Sequence, residues 1–232
     1  MDNMDAMPCA GCGAKLGHDI LQRALARLDS APRPDILIGL DAPDDAAVVE
    51  LPPGILAVHT VDVFPALTAD PYIAGRIAAV HCLSDIYAMG ATPHTALATV
   101  TLPEGHPGVQ EDTLTDLLAG ALSILMPEHT ALVGGHTLQG DRLDFGLSVN
   151  GIITRERLLH LPGPNPGDRL ILTKPLGIGT VFAADMRAHA RAQWVDEALR
   201  HMTQSNADAA RILFEHGATA CTHVTGLGLP AP

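Results

Sequence analysis

The sequence predicts a mixed strand-and-helix protein in two parts, and three observations point there. Short apolar runs that read as strands alternate with stretches of helical spacing. One segment, LPGPNPGD (Leu161 to Asp168), is rich enough in proline and glycine to interrupt that alternation. The composition, 47% hydrophobic and 17% charged over 232 residues, is that of a globular chain with ample core. No apolar run approaches the roughly 18 residues needed to span a bilayer. The start of the chain lacks a basic-then-apolar signal pattern, so it reads as cytoplasmic. A net charge of −12 argues against a nucleic-acid or anionic-membrane partner.

Taken in order, residues 1–30 form a polar segment with a short amphipathic helix at Ile20 to Leu28. Ile36 to Leu40 reads as the first strand, and Ile55 to Val61 as another, so that Asp62 stands where a strand leaves the core. Asp70-Pro71 is a helix-start signal, since Asp can cap free N–H groups and Pro tolerates the first helical position. Ile73, Ile77, Val80 and Ser84 follow at helical spacing, and Gly90 suits the turn that ends a helix. Strands are expected at Ala96 to Val100, Thr130 to Val133 and Phe145 to Ile153, with a helix from Glu111 to Leu125. A domain boundary falls at 161–168. Beyond it, Arg169 to Thr173 and Ala218 to Thr222 read as strands, and Trp194 to Glu215 as one helix stopped by Gly217. The expected division is therefore 1–30, 31–160, the linker 161–168, and 169–232.

Asp85 is the odd residue of the long helix. A carboxylate in the last turn faces the negative end of the helix dipole, which costs about 0.3–1 kcal/mol when exposed. A bound cation is the natural counterweight. Asp41, Asp44 and Asp45 form an acidic turn between apolar runs. They read either as ordinary turn-formers or, with Asp62 and Asp85, as oxygen ligands gathered from several element ends, as a hard cation such as Mg²⁺ requires. Arg76 and Arg142 are the only basic residues between Pro34 and Ile153. A polyphosphate bound there would need a divalent metal and backbone N–H groups.

Cys9 and Cys12, followed by Lys15, leave three readings open. A neighbouring ammonium favours the thiolate, which would give the loop a chemical role. The pair could instead be half a zinc site, although only His18 follows, or a redox couple, although no strand precedes it. Cys82, within the apolar helix, and Cys221 read as buried structural thiols. Gly134-Gly135-His136-Thr137 directly follows a strand. Paired glycines there let backbone N–H groups approach a phosphate, or make an ordinary tight turn. His136 reads more simply as structural. No Walker A loop or dinucleotide fingerprint is present.

GCGAK (Gly11 to Lys15), DDAAV (Asp44 to Val48), TVD (Thr60 to Asp62), DPYIAGRIAAVHCLSDIYAMG (Asp70 to Gly90), GGHT (Gly134 to Thr137), TKPLGIG (Thr173 to Gly179) and VTGLG (Val224 to Gly228) occur in this order. In that arrangement the chain resembles the selenophosphate synthetases (selenide, water dikinases), within the wider aminoimidazole ribonucleotide synthetase-like superfamily. The resemblance implies an α+β, ferredoxin-like N-terminal domain that binds ATP and pairs with a second copy in a homodimer barrel, then an α/β C-terminal domain that is incomplete here. It implies conversion of ATP, selenide and water to selenophosphate, AMP and phosphate. By the same resemblance Cys12 and Lys15 are catalytic. Lys15, Asp44, Asp62, Asp85, Gly135, His136 and Thr137 contact the nucleotide, and Asp45, Asp62, Asp85 and the position of His223 hold Mg²⁺. His223 departs from the family's Asp and is a ligand far less suited to Mg²⁺. Two alternatives stand beside that reading: a non-catalytic ATP-binding or dimerising relative, and a CxxC thiol-redox module.

Overall fold

The computed structural model describes residues 34–38, 46–51, 54–159 and 166–226. The expected helix at 20–28, Cys12, Lys15, Asp44 and Asp45 lie outside the described residues. A six-stranded sheet dominates: β1 (Ile36–Ile38), β2 (Ala47–Leu51), β3 (Ile55–Pro65), β4 (Thr92–Pro103), β5 (Ala131–Gly140) and β6 (Asp144–Thr154). The spatial order is β1-β2-β3-β6-β4-β5, with β4 and β5 parallel and every other neighbouring pair antiparallel. Two helices cover one face: α1 (Pro71–Ala88) and α2 (Pro107–Leu125).

The strand-and-helix class is as expected, but the ferredoxin-like order is not. That order is βαββαβ, whereas here β3-α1-β4-α2-β5-β6 puts both helices before the last two strands. The crossover through α2 makes β4 and β5 parallel neighbours. Residues 141–143 then carry the chain over the end of β4, so that β6 fills the gap between β3 and β4.

α1 forms for the local reasons its sequence announces. Asp70 Oδ1 accepts the Ile73 amide at 3.1 Å, Pro71 opens the helix, and Gly90 (φ 74°) follows its end. Unlike a surface helix it is apolar nearly all round, because it lies between the sheet and α2. Leu83 and Ile86 are fully buried on it, against Leu56, Val58, Phe145, Leu147 and Val149 of the sheet and Leu117 and Leu125 of α2. The two helices touch through glycine. A Cβ at Gly75 would lie 2.0 Å from the Leu117 carbonyl oxygen, and one at Gly120 would lie 2.0 Å from that of Tyr72.

The C-terminal part corrects three expectations. The single helix of 194–215 is two, α4 (Ala192–Met202) and α5 (Ala207–Glu215), preceded by α3 (Ile178–Asp185). Side chains break it: Thr203 Oγ1 donates back to the Leu199 carbonyl, and Ser205 Oγ accepts the Ala207 amide. Residues 169–173 and 218–222 carry no regular secondary structure and join no ladder among the described residues. Strand-like hydrophobicity needs a partner strand to become a strand, and Leu170, Ile171 and Leu172 remain exposed. No described helix is long and apolar enough to cross a membrane.

Candidate active site

β3 and α1 meet at matched spacings. Thr60 and Asp62 lie two apart on β3, a rise of about 6.7 Å. His81 and Asp85 lie four apart on α1, a rise of about 6 Å. They pair crosswise: Thr60 Oγ1 donates to Asp85 Oδ2 at 2.8 Å, and His81 Nε2 stands 3.0 Å from Asp62 Oδ2. The chain then returns from beyond α5, and His223 Nδ1 reaches Asp85 Oδ1 at 3.1 Å. The His81 and His223 rings lie 4.7 Å apart, centroid to centroid, and Phe64 meets His81 edge-on at 5.2 Å.

Both carboxylates are buried, Asp62 at 7% exposure and Asp85 at 6%. A buried charge must be paired. Here each has an imidazole, and Asp85 has a hydroxyl as well. The counterweight expected for Asp85 at the helix end is thus supplied by Thr60 and His223. Asp62 is not at the exit of its strand, since β3 runs on to Pro65. Behind the pair, Cys82 Sγ donates to the Asp62 carbonyl at 3.6 Å, and burial first, then Asp62, pushes its thiol pKa well up. Asn206 Nδ2 donates to Ser84 Oγ at 2.8 Å and ties the segment before α5 to α1.

The structure brings Asp62, Asp85 and His223 together and leaves Gly135, His136 and Thr137 apart. GGHT is no turn: it lies inside β5, an exposed edge strand. Asp62, Leu147, Ala98 and Gly135 share one row across β3, β6, β4 and β5. Three strand spacings separate the ends of that row, roughly 14 Å. The glycine has a packing reason, because a Cβ at Gly135 would sit 2.1 Å from the Ala98 carbonyl oxygen. His136 lies opposite Thr99 on the other face of the sheet from Asp62.

Sequence reasoning missed Thr60 as a partner and His81 altogether. The four-residue interval between His81 and Asp85 was the available signal. Each carboxylate faces a ring nitrogen, a donor that an all-oxygen Mg²⁺ shell does not use. Among the described residues no three His, Cys, Asp or Glu side chains surround a common point.

Residues 43–153 match the model described as AIR synthase related protein, N-terminal domain. The solved structure of AaThiL complexed with AMPPCP and TMP shares the fold, with a TM-score of 0.65 at 19% identity over 85% of this chain and 61% of that one. Over 222 residues the chain is 44% identical to a selenide, water dikinase of Geobacter metallireducens, covering 95% of itself and 64% of that protein. It is 41% identical to one of Pelobacter propionicus over 94% of itself and 62% of that protein. The chain spans 62–64% of the length of these two curated relatives.

Proposed function

We propose that this chain takes part in ATP-dependent synthesis of selenophosphate, in which ATP, selenide and water give selenophosphate, AMP and phosphate. One observation carries the reading. The Thr60/Asp62 and His81/Asp85 cross-pairing, closed by His223, gathers two buried carboxylates of β3 and α1 with an imidazole of the distant C-terminal segment, in a chain at least 41% identical to the two selenide, water dikinases above.

In this reading the protein's own groups do the following. Thr60 holds Asp85 in one orientation, and His81 holds Asp62, so both carboxylates are pre-set before substrate arrives. Lys15 offers a mobile charge to transferring phosphoryl oxygens, and Cys12, soft and polarizable, handles selenide. Asp44, Gly135, His136 and Thr137 contact the nucleotide. Asp62 and Asp85, with Asp45, would supply carboxylate oxygens for a Mg²⁺ that accompanies ATP, and the ion would neutralise the triphosphate. The nitrogen donors His81 and His223 do not suit it, the latter although it stands at the family's ligand position.

The homodimer belongs to the same proposal. The sheet face opposite the helices exposes Val61, Val63, Leu97, Leu138 and Ile152, an apolar surface that a second copy would cover. A cytoplasmic location suits an enzyme that consumes ATP. Segments 1–30, 31–160, the linker 161–168 and 169–232 are the proposed division of labour, from catalytic arm to C-terminal segment.

The test is ³¹P NMR of ATP incubated with selenide and the purified chain. Selenide-dependent AMP and selenophosphate, lost in Cys12→Ser, are the expected result. ATP binding without turnover at any selenide concentration would leave the second reading, a nucleotide-binding or dimerising relative. His223 facing Asp85 favours that second reading, since it replaces an oxygen ligand. Stoichiometric Cys9–Cys12 disulfide cycling with no nucleotide binding would leave the thiol-redox module.

A further inference from the structure

We infer that Lys174 is an acylation site for a small acyl phosphate, and that its acylation loosens the joint between α4 and α5 from α1. Lys174 is one of the chain's two lysines. It is half-buried at that joint, where its Nζ donates to the Gln204 carbonyl. The partner is neutral, so the bond supplies no counter-charge for the ammonium. Burial alone acts on the charge and lowers the pKa from 10.5 to about 8. A lysine desolvated in this way gives up its proton near neutral pH and becomes a nucleophile.

The joint is also where the C-terminal segment grips α1. Thr203 Oγ1 donates to the Leu199 carbonyl as α4 ends, and Ser205 Oγ accepts the Ala207 amide as α5 begins. Between those two caps, Lys174 holds Gln204. Two residues on, Asn206 Nδ2 donates to Ser84 Oγ at 2.8 Å. Ser84 stands next to Asp85, and its own hydroxyl donates to the Val80 carbonyl. The joint is therefore tied to the Lys174 loop on one side and to the last turns of α1 on the other.

The covalent step needs no further reactant. Neutral Nζ attacks the carbonyl carbon of the acyl phosphate, and the C–N bond forms as the C–O bond to phosphate breaks. Phosphate leaves with the electron pair, and the amine proton passes to solvent. The acyl group has an apolar seat at hand. Pro175, next in the chain, and His201, three residues before Gln204, line a groove with Leu176, Val181, Trp194 and Ala198. The amide that results is uncharged, so the charge-assisted bond to Gln204 is lost. The joint then keeps only its tie to Ser84.

The test incubates the full chain with acetyl phosphate at pH 8, folded and in urea, and follows Lys174 by peptide mass spectrometry. Amide hydrogen exchange is then compared between acetylated and untreated chains. Lys174 should be acetylated about tenfold or more faster in the folded chain than in urea, because only the folded chain lowers its proton affinity. Exchange at residues 203–217 should quicken on acetylation. Lys174→Gln should reproduce that exchange. Lys174→Arg should exchange like the parent with or without acetyl phosphate, which controls for Lys15 and the amino terminus. Where Lys174→Gln fails to fold by far-ultraviolet dichroism, the acetylated parent carries the comparison. Acetylation no faster in the folded chain than in urea overturns the acylation site. Unchanged exchange at 203–217 after acetylation overturns the loosening. Neither readout depends on nucleotide binding or on selenophosphate being formed.

Discussion

His223 and Asp85, 138 residues apart in the chain, meet Nδ1 to Oδ1 at 3.1 Å. The contact joins the segment after α5 to the last turn of α1, beside the Asp62–His81 pair. His223 thus lands on one of the two buried carboxylates of the site. The consequences are open to measurement.

Thr60 is the hydroxyl partner of Asp85, and hydrogen bonds to charged groups contribute about 1.5–3 kcal/mol. Thr60→Val removes the donor and keeps the shape. Urea unfolding should show a loss of that order, while Thr60→Ser stays close to the parent. An unchanged midpoint in Thr60→Val would mean that solvent or His223 alone satisfies the carboxylate.

The contact between α1 and α2 tolerates no Cβ at two places. Gly75→Ala and Gly120→Ala each drive a methyl to 2.0 Å from a carbonyl oxygen unless the helices part. Overpacking of this kind costs about 1–3 kcal/mol. The loss should appear in the urea midpoint of each variant. Because both changes separate the same helices, the double variant should lose less than the sum of the two.

Cys82 is fully buried, and desolvation reinforced by Asp62 and Asp85 raises its pKa. Iodoacetamide at pH 8 should leave it unmodified in the native chain and label it fully in urea, as read by peptide mass spectrometry. Labelling of Cys82 before unfolding would contradict its place behind Asp62.

Lys174 behaves in the opposite way. Burial disfavours its ammonium and lowers its pKa from 10.5 to about 8. The rate of acylation at Lys174 should therefore rise with a midpoint near pH 8. The unfolded chain keeps that proton to higher pH, so unfolding takes up a proton between pH 8 and 10.5. Stability from this group rises across that window, and Lys174→Met should remove the slope.

The open face of the sheet carries the proposed second copy. Val61 is 62% exposed there, and Val61→Asp sets a carboxylate in the middle of the surface. The variant should keep its fold and run as a monomer in light scattering where the parent is a dimer. A parent that is monomeric at micromolar concentration would remove the dimer from the proposal.

Much of this was legible beforehand because it is local. Asp70-Pro71 announces the start of α1 by cap chemistry, and the apolar spacing of Ile73, Ile77 and Val80 announces the helix. The strands at β3, β4 and β6 were visible as apolar runs, although each proved longer than its run. Alternation with Thr, Ser and Asn on the open face hid the ends. The break between α4 and α5 was misread because Thr203, Ser205 and Asn206 act through side-chain bonds that a spacing argument does not count. GGHT lies inside β5 and not in a turn, and Gly135 there serves a close approach to Ala98 on the neighbouring strand.

By itself the sequence determined where helices begin, which residues are apolar enough to be buried, and which acids stand near the site. Those properties rest on caps, spacing and composition within a few residues. Only the tertiary structure decided that β6 would lie between β3 and β4, that GGHT would stand three strands from Asp62, and that His81 and His223 would be the partners of the two carboxylates. Those relationships join groups 19 and 138 residues apart. Packing of α1 onto the sheet and the return of the chain after α5 set them, and no local pattern records either.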